Sequence, residues 1–434
     1  MKPGVNARIW LKPVLASLAA LASLHGRACI GEPPRMGPID HQRVVMVRVA
    51  DPKHQVAYCP ALEQLPGGRL VGTMLTHDAR KTAAHEWLVN VFTSDDGGRS
   101  WTPRKQLPMV DGQPFVAGKN VYVIGGREDL FISRSADGTE WSDLVPLKTG
   151  RLWYSFPGPA LRKNGRIYLE KECRTEPVKH GFPVWILAPV VMSARLDADL
   201  TRPEAWTYSN ALSYRQAEAR YGKPNLLGVP FYGPRVRGAP AVGWGEGNLV
   251  EIHDPTHVWH DPRGQTLHIF LRAETGRSGL AGLAKAVIGT DGRITVDLER
   301  APSGEPVLFV PLPGGQGAFN ILYDARSRLY LLVSSQSTDS MRRVDALGAW
   351  HYGLPANERS RVALYFSKNC MDWCLAGLVA DAGAEKRSFF HGSTVIDGDD
   401  LLLLMRESDA EAVNTHNSNL ITLYRIRDFR RWLY

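Results

Sequence analysis

One phrase recurs six times along the chain: a turn rich in Gly, Asp or Asn, followed at once by a short apolar strand. It is first Pro66-Gly67-Gly68-Arg69-Leu70-Val71, then Ala117-Gly118-Lys119-Asn120-Val121-Tyr122, then Lys163-Asn164-Gly165-Arg166-Ile167-Tyr168. It returns as Asp261-Pro262-Arg263-Gly264 before Leu267-His268-Ile269-Phe270, and as Asp324-Ala325-Arg326-Ser327-Arg328 before Leu329-Tyr330-Leu331-Leu332. The sixth copy is Asp397-Gly398-Asp399-Asp400 before Leu401-Leu402-Leu403-Leu404. Each copy reads as a hairpin turn feeding a buried strand. One supersecondary unit used six times describes an all-β, six-bladed β-propeller, and no helical period of 3.6 residues competes with it. Two stacked sandwiches would need a linker near the middle. Residues 211–245 are the only candidate, and they read as a long loop rich in Gly, Pro and Tyr.

Such a ring has to be closed. The strand Arg43–Val49 has no hairpin partner near it, and Asn419–Arg425 is equally alone at the other end. Pairing the two in the last blade removes two exposed edges.

Composition narrows the class without choosing a function. The 434 residues are 44% hydrophobic and 9% aromatic, as in an ordinary globular protein, and Gly 41 with Pro 29 supplies many turns. The net charge of +8 suits an anionic partner, but the Lys and Arg residues are scattered, which argues against nucleic acid. Residues 1–28 read as an export signal: Lys2 and Arg8, the apolar run Val14–Leu24, then small residues around Gly26 and Ala28. That leaves 29–434 as a single propeller domain, secreted or periplasmic, with no membrane span. Gly26-Arg27-Ala28 is a poor lipobox for Cys29. Cys59, Cys173, Cys370 and Cys374 form no zinc pattern, and a large core needs no disulfide.

A second phrase lies between later strands. Ser94-Asp95-Asp96-Gly97-Gly98-Arg99-Ser100-Trp101 is its full form, and Ser135-Ala136-Asp137-Gly138-Thr139-Glu140-Trp141 is one residue shorter. Ser367-Lys368-Asn369-Cys370-Met371-Asp372-Trp373 is a degenerate copy. These resemble the Asp box of the sialidase superfamily. In such a turn the carboxylate accepts backbone N–H bonds, Gly takes a positive φ and Trp fills the gap between blades. The resemblance implies that the boxes are structural and lie on the rim away from the active site.

The resemblance implies a sugar site at one mouth of the channel, with three arginines, a tyrosine nucleophile assisted by glutamate, and an aspartate acid. Blade four matches best: Glu246 stands before one strand and Arg272 ends the next, as proton partner and carboxylate clamp. A surface glutamate and an ordinary salt bridge would read the same way. Blade one has Tyr58-Cys59-Pro60-Ala61 where the first clamp arginine would stand, so that arginine is absent. The loop after it offers Asp78 as general acid, with His77 or His85 in support. Blade six has Phe389-Phe390-His391-Gly392-Ser393 where the tyrosine would fall, and no tyrosine. His391 is a base there or a core hydrogen-bonder, and Arg406-Glu407 a second charged pair. Arg127, in Gly125-Gly126-Arg127-Glu128-Asp129, and Asp339, in Gln336–Met341, close blade strands that could face the same mouth. His253, Asp254, His257, His260 and Asp261 suggest a metal only on a helix that Pro255 and Pro262 disfavour.

The expectation is an exo-acting glycoside hydrolase on an acidic or sulfated glycan, monomeric, with no cofactor. The rivals are a propeller polysaccharide lyase acting on a uronate and a propeller that binds glycan without turnover.

Overall fold

The computed structural model describes residues 38–80, 87–154, 156–177, 183–222, 242–275, 279–337, 358–383 and 385–434. They form six antiparallel blades in a ring. Blade one is Gln55–Gln64, Leu70–Asp78, Trp87–Ser94 and Thr102–Leu107, from the channel outward. Blade two is Val110–Ala117, Asn120–Gly126, Leu130–Ser135 and Val145–Lys148. In blade three the inner edge is split into Trp153–Tyr154 and Leu161–Lys163, both paired with Arg166–Arg174; Leu187–Arg195 and Thr207–Tyr208 follow. Blade four is Gly243–Val250, Thr266–Glu274, Leu280–Ile288 and Ile294–Asp297. Blade five is Phe319–Asp324, Leu329–Ser335, Arg361–Ser367 and Cys374–Asp381. Blade six is Ser388–Asp397, Asp400–Ser408 and Leu420–Ile426, completed on its outer edge by Gln42–Arg48.

All six recurring phrases join the first strand of a blade to its second. Closure also falls where the unpaired termini put it, with Arg43 opposite Tyr424 and Arg48 opposite Leu420. The core is divided the same way. Six apolar clusters fill the six seams between neighbouring blades, such as Phe115, Ile124, Leu169 and Met192 between blades two and three.

The Ser94–Trp101 turn behaves as its residues dictate. Asp96 Oδ1 accepts from the N–H groups of Arg99 and Ser100 at 2.9 and 3.0 Å, and Trp101 donates to the Gly98 carbonyl at 3.1 Å. Gly97 and Gly98 take φ of 73° and 91°. Trp141 repeats the bond to Gly138 at 3.0 Å and is buried, whereas Trp101 and Trp373 are half-buried. Asn369 substitutes its amide oxygen for the carboxylate, accepting from Met371 and Asp372 at 2.9 Å.

Two expectations change. Residues 211–245 are not all loop: Tyr214–Tyr221 is a helix, opened by Ser213 in a reciprocal capping box with Gln216. Asp78 belongs to a strand, because the ladder to Gln55–Gln64 runs as far as Asp78, opposite Gln55. The stretch His253–Asp261 spends its polar atoms on turns; His257 Nε2 lies 3.1 Å from the Asn369 carbonyl, and Asp261 accepts from Arg263 and Gln265. The proposed signal, residues 1–28, lies outside the described residues. Among those residues the four cysteines are free, and no helix is long and apolar enough to cross a membrane.

Candidate active site

In an antiparallel blade the first strand starts, and the second ends, on the same face of the ring. The turns Ser94–Trp101, Ser135–Trp141 and Ser367–Trp373 join third strands to fourth and so lie on the other face. The chemistry gathers on the first of these.

Four inner strands carry a bulge within their first residues. The extra residues are Cys59-Pro60, Asp111-Gly112, Glu246 and His391-Gly392, in blades one, two, four and six. Cys59, Asp111 and Glu246 take φ of 44°, 53° and 55°, a region that non-Gly residues rarely occupy. A bulge re-aims a side chain and bends its strand. Repeated around the ring, it turns these positions out of the ladder and toward the channel mouth.

Glu246 is buried, and its Oε1 accepts from Arg272 Nη1 at 2.9 Å. Arg272 also donates from Nε to the Gln316 carbonyl at 3.1 Å and from Nη2 to Glu274. Burial alone would lower this guanidinium's pKa, but Glu246 and Glu274 outweigh it and hold it above its ordinary value. Burial pushes the Glu246 carboxyl up, with Arg272 and Arg406 opposing.

Two further arginines converge here. Arg359 and Arg406 are 2% and 3% exposed, and neither forms an ion pair among the described residues. Nε and Nη1 of Arg359 and Nε of Arg406 are buried without a hydrogen-bond partner among the described residues. Phe390 is their common floor, its ring centre 3.7 Å from Arg359, 4.9 Å from Arg406 and 5.6 Å from Arg272. Burial lowers the pKa of both, and for Arg359 repulsion from Arg406 and Arg272 lowers it further. A buried charge without a partner is costly, so Arg359 and Arg406 favour any anion that reaches them.

Blade three adds carboxyls. Glu170, Lys171 and Glu172 are consecutive and all buried. Lys171 turns to Gln113 of blade two, while the two glutamates face the Gly245-Glu246-Gly247 bulge. A Cβ on Gly245 would lie 3.3 Å from Glu172 Oε1, and one on Gly247 only 2.6 Å from the Glu170 carboxyl carbon. Glycine flanks Glu246 because those carboxyls need the space. Burial raises both, Glu170 to about 7 and Glu172 well above the ordinary range.

The rim on blades one and six is aromatic. His77 stacks on Trp87 at 4.1 Å, Trp87 on Tyr58 at 6.3 Å, and Tyr58 meets His416 edge-on at 5.6 Å. Asp78 points away from this row. Its carboxylate takes Arg80 Nε and Nη2 at 2.9 and 2.7 Å and Gln55 at 3.1 Å. The Arg80 bonds hold it below the ordinary carboxylate range, so a general-acid role for Asp78 requires Arg80 to let go.

Of the residues expected from sequence, Glu246, Arg272 and Arg406 are brought together and His77 reaches their rim. Glu407 is not part of the group. Strand alternation turns it the other way, to Arg43 at 2.8 Å and Tyr424 at 2.5 Å. Arg127 pairs with Glu128 at 3.2 Å, and no contact among the described residues links it to the trio. His85 and Asp339 lie outside the described residues, and of His391 only the bulged backbone is described. Arg359, Asp111, Glu172 and His416 went unread. A Gly or Pro interrupting each inner strand was the available sign of the bulges.

No protein-family model matches the chain, and no curated protein matches it in sequence. Solved structures do. A protein of unknown function from Dyadobacter fermentans aligns at 14% identity and TM-score 0.51, over 88% of this chain and 97% of that one. Trypanosoma rangeli sialidase in complex with sialic acid aligns at 13% identity and TM-score 0.51, over 91% of this chain but only 60% of its own. Penicillium chrysogenum α-L-arabinanase, complexed with arabinobiose, aligns at 10% identity and TM-score 0.47, over 89% and 98%. At these identities what this chain shares with the sialidase is the six-bladed propeller.

Proposed function

We propose that the chain is an exo-acting, sialidase-like glycoside hydrolase that acts on an acidic or sulfated glycan. One observation carries the reading: Arg359 and Arg406, buried without ion-pair partners among the described residues, share the floor of Phe390 with the Arg272–Glu246 pair. A carboxylate or sulfate would take their open N–H groups in charge-assisted, geometrically selective bonds. Arg272 is already engaged and serves mainly to place Glu246, which is the basin's carboxylate for proton transfer. The three box-like turns are Asp boxes in this reading, and the signal in residues 1–28 puts the monomeric enzyme outside the cytoplasm.

The test is digestion of a panel of sialylated, uronate-containing and sulfated glycans by the purified protein, followed by mass spectrometry. Release of a terminal acidic sugar with a new reducing end is expected. An unsaturated, ultraviolet-absorbing product would identify a lyase instead, and binding without any product a glycan-binding module.

A further inference from the structure

Glu172 has no part in the chemistry proposed above, yet it presses on the turn that aims Glu246. Gly245 is the register partner of Arg272, and Glu246 is the extra residue that follows it, at φ 55°. A Cβ on Gly245 would stand 3.3 and 3.4 Å from the two Glu172 oxygens, and one on Gly247 2.9 Å from Glu170 Oε2. The bulge is thus gripped by a carboxyl on each side of Glu246. A non-glycine residue at positive φ persists only where its surroundings hold it there. The grip supplies that constraint, and the Glu246 side chain is left facing Arg272 Nη1 at 2.9 Å.

Neither oxygen of Glu172 meets a donor in hydrogen-bonding geometry among the described residues. A buried carboxylate in that position is costly, whereas the protonated acid carries no net charge. Tyr154 stands opposite Glu172 on the inner edge, Asp111 acts on it from blade two, and Glu170, Lys171 and Cys173 adjoin it on its own strand. Lys171, the cation of this group, donates to Gln113 and to the Glu170 carbonyl at 2.6 Å. Burial first, then Glu170 and Glu246, hold the Glu172 carboxyl well above the ordinary range.

We infer that Glu172 is a positioning residue for Glu246: as a neutral acid it props the Gly245-Glu246-Gly247 bulge, and on losing its proton it drives the Glu246 carboxylate off Arg272. The inference rests on the hydrolase reading, with Glu246 as the carboxylate that moves the proton. Two carboxylates on one turn repel, and Glu246 is the one with a strained backbone to release. Turnover therefore falls on the alkaline side as Glu172 ionises. Glu170, raised by burial to about 7, ionises first, and its charge delays that fall.

The full chain is assayed from pH 5 to pH 10 on 4-methylumbelliferyl glycosides of sialic acid, glucuronic acid and 6-sulfo-N-acetylglucosamine, and the alkaline limb of kcat is located. Glu172→Gln keeps the shape of the neutral acid and has no proton to lose. Its limb should lie about one pH unit or more above the parent's, a tenfold change in proton concentration. Glu170→Gln should move the limb the other way, since it removes a charge that keeps Glu172 protonated. At pH 6, Glu172→Ala removes the prop and should lower kcat about 10²-fold, as a misplaced group does, with KM little changed because Arg359 and Arg406 are untouched. Glu172→Gln should restore most of that loss. In the infrared at pH 7, the parent should show a protonated-carboxyl band that weakens in Glu172→Gln. A limb unmoved by Glu172→Gln, a limb moved upward by Glu170→Gln, equal kcat in the Ala and Gln variants, or an unaltered band would each overturn the inference and leave a hydrolase standing. No turnover of any probe by the parent would remove the hydrolase reading, and this role for Glu172 with it.

Discussion

Arg406, on the second strand of blade six, sets its guanidinium 4.5 Å from the ring centre of Tyr58, on the first strand of blade one. The sialidase resemblance leads one to expect these two side-chain types the other way round, with arginine on blade one and tyrosine on blade six. Blades one and six are neighbours where the ring closes, and both side chains are long. Either strand can therefore deliver its group to the same few ångströms of the mouth. A motif search along one strand finds neither side chain where it is expected, although the basin holds an arginine and a tyrosine.

Arg359, buried without an ion-pair partner among the described residues, yields a prediction with two readouts. Arg359→Met removes a charge that burial and two neighbouring cations already disfavour, so the melting temperature should rise. Affinity for sialate or glucuronate, measured by calorimetry, should fall about ten- to hundredfold, the worth of about 1.5–3 kcal/mol in charged hydrogen bonds. A lower melting temperature would mean that Arg359 is paired after all.

Arg272 should behave in the opposite way. Removing it strands Glu246 and Glu274, so Arg272→Ala should cost about 3–5 kcal/mol in denaturant unfolding. Glu246→Gln keeps the shape and should lose less stability, but it should reduce kcat on any substrate found. If the two variants unfold alike, the pair is not the strut described above.

Glu172 supplies a pH signature. Burial raises its folded pKa above the ordinary 4.5, so its contribution to stability is whole below that value. It is lost as pH rises toward the folded pKa, because the unfolded chain ionises first. Glu172→Gln is neutral throughout and should match the parent in melting temperature near pH 4, then exceed it by a margin that widens toward pH 8. A margin that narrows instead would show Glu172 folded as a carboxylate.

The tryptophans of the Ser94–Trp101 and Ser135–Trp141 turns should separate by burial. Trp141→Ala, in the seam between blades one and two, should cost about 3–5 kcal/mol, and Trp101→Ala less, since Trp101 is half-buried. Turnover per folded molecule should survive both, as these turns lie on the face away from the basin. Loss of turnover without loss of stability would place the basin wrongly.

The fold was legible because its signals are local. Gly67-Gly68, Asn164-Gly165 and Gly398 mark turns by the conformations they permit, and the apolar strand after each is contiguous in sequence. The unpaired strands Gln42–Arg48 and Leu420–Ile426 announced closure for the same reason. The basin was legible only where one blade holds both partners, as with Glu246 and Arg272. Arg359 lies in no motif and acquires its meaning from Phe390 of the next blade and Arg406 beside it. Glu172 reads as an ordinary strand glutamate until Gly245, on a different blade, makes room for it. His416 joins the basin only through Tyr58, which precedes it by more than three hundred residues.

The outer strand of blade six also sets a timetable for synthesis. Gln42–Arg48 leaves the ribosome long before its partner Leu420–Ile426 is made. At about 5–20 residues per second, the wait is on the order of 20–75 s. Through that interval Val44, Val45 and Val47 belong to an unsatisfied edge, free to pair with other chains. A chaperone that shields this one segment should improve the yield of folded protein more than one acting anywhere downstream.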